Sequence, residues 1–351
     1  MAGSADIDLD SDKVPKGHAL LKLLRKQGFR LTHDPTASFF LCIDHNPKAY
    51  SRFITSGGSP LRAVLLRLEP DVIFPSQYTH SVTSLYSLVL SPGGLPSIKN
   101  GFGFTLGWGY RLDENPLLPS LNSTKVTDAV AELPIEPSEI LRDWHGREID
   151  FSMIASNKVS PCSSSNYGLR RRIAREMSPK SLSLFGNYWE AFSLDKLRHR
   201  IGVAKFSLQN GYFPNVGSTY GALFKTYKTF KGPIDSKFHV LKRSKFNLVI
   251  ENSNSCVTEK LFDSLIGGAI PIYHGPKLSE VGIDDELALE LPKRIHALEN
   301  LTLTITDDEV VRLRQAGKRF LAGSNFEDNW SESGVYSKML VQILKVFRFS
   351  A

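Results

Sequence analysis

Three observations predict an α/β fold built on parallel sheets. Apolar runs too short for typical helices, such as residues 39–43, 63–69 and 246–250, alternate with stretches of helical periodicity. Residues 245–276, KFNLVIENSNSCVTEKLFDSLIGGAIPIYHGP, read as strand, loop, helix and strand in unbroken succession. The chain of 351 residues exceeds one ordinary domain and suits two of roughly 150 to 200 residues, each with an ample core.

The elements follow in order. Residues 1–15 are acidic, and Asp6, Asp8, Asp10 and Asp12 alternate outside any strand-loop context, so a disordered N-terminus is expected rather than a D-x-D metal site. An N-terminal domain is expected over 16–149. It opens with a helix over 18–28 that turns Leu20, Leu21, Leu23 and Leu24 inward, then a strand over 39–43 and an exit loop, Asp44-His45-Asn46-Pro47. Ser56-Gly57-Gly58-Ser59-Pro60 leads into a strand ending at Glu69, and a second apolar segment covers 85–90. Residues 91–125, rich in Gly, Pro and aromatics, carry no clean period. They are expected to form a long loop whose Trp108 and Tyr110 either pack beneath it or offer aromatic faces to a sugar. After Pro134 and Pro137 a second domain is expected over 150–330, with an acid-bearing loop at 284–291 and a helix over 307–321. A terminal helix over 335–347, in a closing segment 331–351, completes the chain.

The chemistry concentrates in the second domain. Phe246 to Ile250 reads as a buried strand, and Glu251-Asn252-Ser253-Asn254-Ser255 as the loop leaving its carboxyl end. A helix follows from Thr258, with Leu261, Phe262, Leu265 and Ile266 on one face, and Gly267-Gly268 ends it before an apolar strand over 269–273. In open α/β sheets ligands collect outside the carboxyl ends of strands, and helix N-termini there attract phosphate. Upstream, Arg170-Arg171-Arg172 opens another expected helix, where a cation opposes the helix dipole unless an anion lies beside it.

The 245–276 block resembles the donor-binding signature of the α1,3/4-fucosyltransferases, inverting enzymes that use GDP-fucose. The match is Glu251-Asn252-Ser253 followed by Val257-Thr258-Glu259-Lys260, an apolar helix, a Gly break and the turn Pro271-Ile272-Tyr273-His274-Gly275-Pro276. The resemblance extends to Ile154-Ala155-Ser156-Asn157-Lys158, to Tyr167–Arg172 and to residues 182–189, and it covers residues 150–285 far better than the N-terminal domain. It implies the GT-B architecture, two Rossmann-like domains facing across a cleft. It also implies that Glu259 bonds the ribose of GDP, that Lys260 neutralises the diphosphate, and that Asn252 touches nucleotide or sugar. A carboxylate accepts two hydroxyl bonds and a lysine supplies a mobile point charge, so the residue types suit these roles. Arg170, or failing it Arg171, is implied as a diphosphate contact. The general base is implied to be Glu69, held extended by Pro70, with Asp71 in reserve. Lys237, ahead of the signature strand, reads equally well as a nucleotide contact or a surface residue. This chain is shorter than the family before Val257 and carries Cys256 where an aromatic is usual. The alternatives to GDP-fucose transfer are therefore another GDP-sugar, or an inactive nucleotide- or glycan-binding homologue.

Composition is that of an ordinary globular protein, and the net charge of +7 points to anionic partners. No zinc-finger spacing, RNP pattern or long basic helix accompanies the charge, so nucleic acid is not expected as a partner. Cys42, Cys162 and Cys256 form no C-x-x-C and no disulfide framework, which favours the cytosol. Neither a signal sequence nor a run of about 18 apolar residues is evident, so a cytoplasmic enzyme is expected, working at or near the inner membrane face on an oligosaccharide or glycoconjugate. No cofactor and no metal are expected, because Arg170, Arg171 and Lys260 carry enough positive charge for a leaving diphosphate.

Overall fold

A computed structural model describes residues 6–10, 19–92, 101–104, 126–160, 162–190, 194–209 and 226–349. The chain divides into two compact units, Met1–Tyr110 with Glu327–Ala351, and Arg111–Phe326. Each is built on a parallel sheet, six-stranded among the described residues.

In the first unit the strands are β1 (Asp6–Asp10), β2 (Arg30–Thr32), β3 (Phe39–Ile43), β4 (Ala63–Leu66), β5 (Leu88–Pro92) and β6 (Gly101–Phe104), in the order β2-β1-β3-β4-β5-β6. β3 is buried throughout: Phe39, Leu41 and Ile43 enter one core with Ile7, Leu9 and Leu24, while Phe40 and Cys42 enter another with Phe53 and Tyr86. Such a strand, covered on both faces, has an uninterrupted apolar sequence.

Four expectations for this unit are corrected. Residues 6–10 are not disordered but form an interior strand, because the Asp residues alternate with Ile7 and Leu9, which face the core at the period of a strand. Residues 101–104, expected in a long loop, pair with β5. Trp108 and Tyr110 lie outside the described residues. The strand expected to reach Glu69 ends at Leu66: Arg67 N–H still donates to Leu90 O at 2.9 Å, but Leu68 and Glu69 N–H turn to a side chain, donating to Asp44 Oδ1 at 2.9 and 3.3 Å. Finally, the terminal helix Glu332–Phe349 is integral to the first unit: Val335, Tyr336, Met339, Ile343 and Phe347 are buried in the core of β1, β3 and β4. At roughly 1.5–3 kcal/mol per large apolar side chain fully buried, this attachment is far from marginal.

In the second unit the strands are β7 (Ile149–Ile154), β8 (Leu182–Phe185), β9 (Phe230–Gly232), β10 (Ser244–Ile250), β11 (Ile270–His274) and β12 (Leu289–Glu290), ordered β12-β11-β10-β7-β8-β9. The first strand lies in the middle, and the chain winds outward one way and then the other, which is the Rossmann order. The topological switch falls between β7 and β10, where loops part to opposite faces and leave a crevice. The Pro137–His145 helix, expected in the first domain, packs Ile140 and Trp144 into the second unit's core, so the boundary precedes residue 150. The Asp307–Leu321 helix forms over the expected residues, capped by Thr306 Oγ1, which accepts the Glu309 N–H at 3.2 Å. The 284–291 segment is not all loop, since Leu289 and Glu290 pair with Ile272 and Tyr273. Among the described residues no helix is long and apolar enough to cross a membrane.

Candidate functional site

The switch point of the second sheet holds an open cavity of about 440 Å³. The loops leaving β7, β8, β9 and β10 and three helices line it. The loop leaving β7 is pinned from behind: Ala155 O accepts Trp189 Nε1–H at 2.5 Å, Asn157 N–H donates to Asn187 O at 2.9 Å, and Arg171 Nη1–H donates to Lys158 O at 2.8 Å. Arg200 also donates to Asn157 O. Gly186, just past β8, forms part of the floor. Its φ of +126° suits glycine, and a Cβ there would come within 2.3 Å of Ala155 O.

The loop leaving β10 runs into the Glu259–Ile266 helix. Its first residue, Glu251, is fully buried and organises the turn. Its carboxylate accepts Thr258 N–H at 2.9 Å and Thr258 O–H at 2.6 Å, and it lies 3.5 Å from Lys260 Nζ. Lys260 Nζ also donates to Thr258 Oγ1 at 2.7 Å, which aims a cation at the start of the helix. Glu251 was legible as the first letter of the Glu-Asn-Ser motif, but not as the buried anchor of Lys260, since burial is decided by the packing of β10 against β11.

Arg170 comes from the Tyr167–Glu176 helix and is 2% exposed. Its Nε and Nη2 donate to Ile250 O at 3.2 and 2.5 Å, and Nη2 also donates to Asn252 Oδ1 at 2.9 Å. The guanidinium thereby satisfies the carbonyl at the end of β10 and orients the Asn252 amide, whose Nδ2 donors remain for a ligand oxygen. Burial lowers the pKa of Arg170, opposed by Tyr167, Glu251 and Glu259, and it stays cationic in any ordinary buffer.

Of the residues named from sequence, Arg170, Asn252, Glu259 and Lys260 all line this cavity. Arg171 does not line it and instead braces Lys158 from behind. Consecutive helical residues point about 100° apart, so one of two adjacent arginines had to face elsewhere. Glu69 is in the first unit. Its backbone is held on both sides, with N–H to Asp44 and C=O accepting from Gln77 Nε2 and Tyr78 O–H, each at 3.1 Å. Asp71 lies in the turn that follows, and both side chains are partly exposed.

Sequence reasoning passed over Lys158, Asn187 and Asp235, and it left Lys237 open; all four line the cavity. Lys158, Arg170, Lys237 and Lys260 against Asp235 and Glu259 leave the lining with an excess of positive charge, suited to a pyrophosphate group. Burial would raise the Glu259 carboxyl, but Lys260 and Lys237 hold it down to about 2. It is therefore a permanent acceptor, able to take two hydroxyl donors from a vicinal diol. Among the described residues no group of three His, Cys, Asp or Glu side chains is disposed to hold a metal ion.

Comparison with protein-family models and with curated proteins finds no match for the chain. Solved structures do match. An α1,3-fucosyltransferase with GDP aligns at a TM-score of 0.50 and 13% identity, over 99% of this chain and 91% of its own. Anabaena HepE in complex with UDP aligns at 0.51 and 7% identity, over 97% of this chain and all of its own. A UDP-forming α,α-trehalose-phosphate synthase from Burkholderia vietnamiensis aligns at 0.50 and 11% identity, over 93% and 74%. At such identities the likeness speaks for fold: this chain has the GT-B fold of glycosyltransferases, with two Rossmann-like α/β units.

Proposed function

We propose that this protein is an inverting glycosyltransferase that moves fucose from GDP-fucose to a hydroxyl of a glycan acceptor, in α1,3 or α1,4 linkage. One observation carries the reading: the cavity at the switch point gathers Arg170 from the Tyr167–Glu176 helix, Asn252 from the loop leaving β10, and Glu259 and Lys260 from the helix that follows, around one ligand-sized space. The donor is argued from the Glu251–Ser253 and Val257–Lys260 motif, and the fold shared with a fucosyltransferase solved with GDP is consistent with it. Lys260 and Arg170 stabilise the leaving diphosphate, Glu259 accepts the ribose hydroxyls, and Glu69 takes the proton of the attacking hydroxyl. The acceptor is an oligosaccharide or glycoconjugate met in the cytoplasm, at or near a membrane surface, with no nucleic-acid partner.

Binding of GDP tests the donor half. Lys260→Ala and Glu259→Ala should each weaken GDP binding by about 1.5 to 3 kcal/mol, the range for a charged hydrogen bond, with the fold intact. Unchanged affinity in both variants, measured by calorimetry, would defeat the assignment. Turnover of GDP-fucose against other GDP-sugars then tests the sugar. Another GDP-sugar is the second reading, favoured by one feature: Cys256 and Val257 are both buried, so the short loop presents no aromatic side chain at the position the fucosyltransferase motif gives one. GDP binding without turnover of any donor would mark an inactive homologue.

The leaving group is proposed to be neutralised by side chains alone, so activity should survive EDTA. Loss of turnover on chelation, restored by magnesium or manganese, would show that an ion supplies the charge assigned to Lys260 and Arg170.

A further inference from the structure

Lys237 stands at the first position of the Lys237–Lys242 helix, where a cation opposes the helix dipole. It is kept there by two carboxylates of one neighbouring helix. Its Nζ donates to Asp263 Oδ2 at 2.8 Å and lies 3.7 Å from Glu259 Oε1. Asp263 and Glu259 are one helical turn apart, so they share a face, and they differ in depth: the Asp263 side chain is 3% exposed, that of Glu259 25%. The ammonium therefore sits between a buried anchor and a carboxylate at the cavity wall. We propose that Lys237, anchored on Asp263, is a positioning residue that holds the Glu259 carboxylate in place as the hydroxyl acceptor of the nucleotide site. This rests on the nucleotide-sugar reading of the cavity for the identity of the ligand, but not for the contact itself.

The charged groups around Glu259 come from every side. Lys260 lies on its own helix, Lys237 on the helix packed against it, and Arg170 on the Tyr167–Glu176 helix, while Asp263, Asp235 and Glu251 are the acids nearby. Taking away the Lys237 charge leaves Glu259 with Lys260 and Arg170 but uncovers the repulsion of Asp263 on the same face. The carboxyl must then rise from its value of about 2. A lysine that merely tied two helices together would leave Glu259 unaffected.

The decisive measurement needs no ligand: titration of the Glu259 carboxyl carbon by NMR in glutamate-labelled protein, the signal assigned by its loss in Glu259→Gln. In the wild type it should not move between about pH 8 and pH 4, whereas in Lys237→Met its midpoint should rise into that window, and Lys237→Arg should behave as wild type. Should Lys237→Met fail to fold with the Asp263 carboxylate deprived of that ammonium, Lys237→Met/Asp263→Asn removes both charges and is expected to show a smaller rise, because the repulsion of Asp263 is lost with it. With GDP as probe, Lys237→Met should bind about tenfold more weakly. The ratio to wild type should grow as pH falls, a comparison in which the nucleotide's own titration cancels. In a Glu259→Gln background the Lys237 substitution should have little further effect. An unmoved Glu259 titration in Lys237→Met overturns the proposal. A moved titration in a protein that binds no GDP supports it and overturns the nucleotide reading instead.

Discussion

Glu69→Gln is expected to lower turnover by about 10² or more while GDP affinity hardly moves, since a general base acts in the transition state and contributes little to donor binding. Glutamine is nearly isosteric but takes no proton. The backbone around Glu69 predicts that the substitution leaves the fold alone. Its N–H goes to Asp44, its carbonyl accepts from Gln77 and Tyr78, and Pro70 holds the residue extended, so position is set by main-chain bonds that the variant keeps. Asp44 is itself buried, at a φ of +54°, with Gln77 Nε2 donating to its Oδ1 at 3.1 Å. Steady-state turnover, GDP calorimetry and thermal unfolding of the same preparation read the three quantities. Wild-type turnover would remove Glu69 as the base, and loss of GDP binding along with turnover would mark a structural role. Asp71→Asn, run in parallel, separates the two carboxylates: if only that variant is inactive, the base lies in the turn after Pro70.

Gly186→Ala should destabilise the second unit by at least ~3 kcal/mol, a drop in Tm of roughly 6–12 °C, and abolish GDP binding. Two penalties combine. The φ of +126° is strained for any L side chain, and the new Cβ would meet Ala155 O at 2.3 Å and Ala155 C at 2.8 Å, both backbone atoms held by the bonding of β7 to β8. The wall at Ala155 would have to retreat, and with it the loop that carries Ser156 and Lys158. Gly232→Ala is the matched control: its φ is +119°, but nothing lies within 4 Å of the added atom, so it carries the strain without the collision. Calorimetric unfolding of the two variants isolates the close contact. Equal losses would mean that the β7 and β8 loops are not in fact held against each other.

How much of this was legible beforehand differs between the two units, for reasons visible at particular residues. The helix of Leu261, Phe262, Leu265 and Ile266 and the strands flanking it are written locally, because each buries an apolar face whose period identifies it. Arg170, Asn252, Glu259 and Lys260 could be singled out because the residues around them resemble the fucosyltransferase donor motif, and their types suit a diphosphate and a diol. The first strand could not be, since Ile7 and Leu9 among four aspartates look solvated until β2 and β3 close on either side. The terminal helix was plain from its own pattern, but that it completes the first unit's core rather than standing apart depends on a contact with residues about three hundred positions away.

Local propensity and motif chemistry, then, are properties of adjacent residues, and the sequence by itself determined the α/β class, the strand-loop-helix of residues 245–276 and four cavity-lining residues of the five it named for a nucleotide. Burial and the partner of each charge are long-range. Only the tertiary structure decided that Arg171 turns from the cavity to brace Lys158, that Glu251 lies buried beneath Lys260, and that Lys237 sits between Asp263 and Glu259. The reason is that a charge takes its role from what excludes water around it and what opposite charge comes within a few ångströms, and both are supplied here by elements that meet only when the parallel sheet has formed.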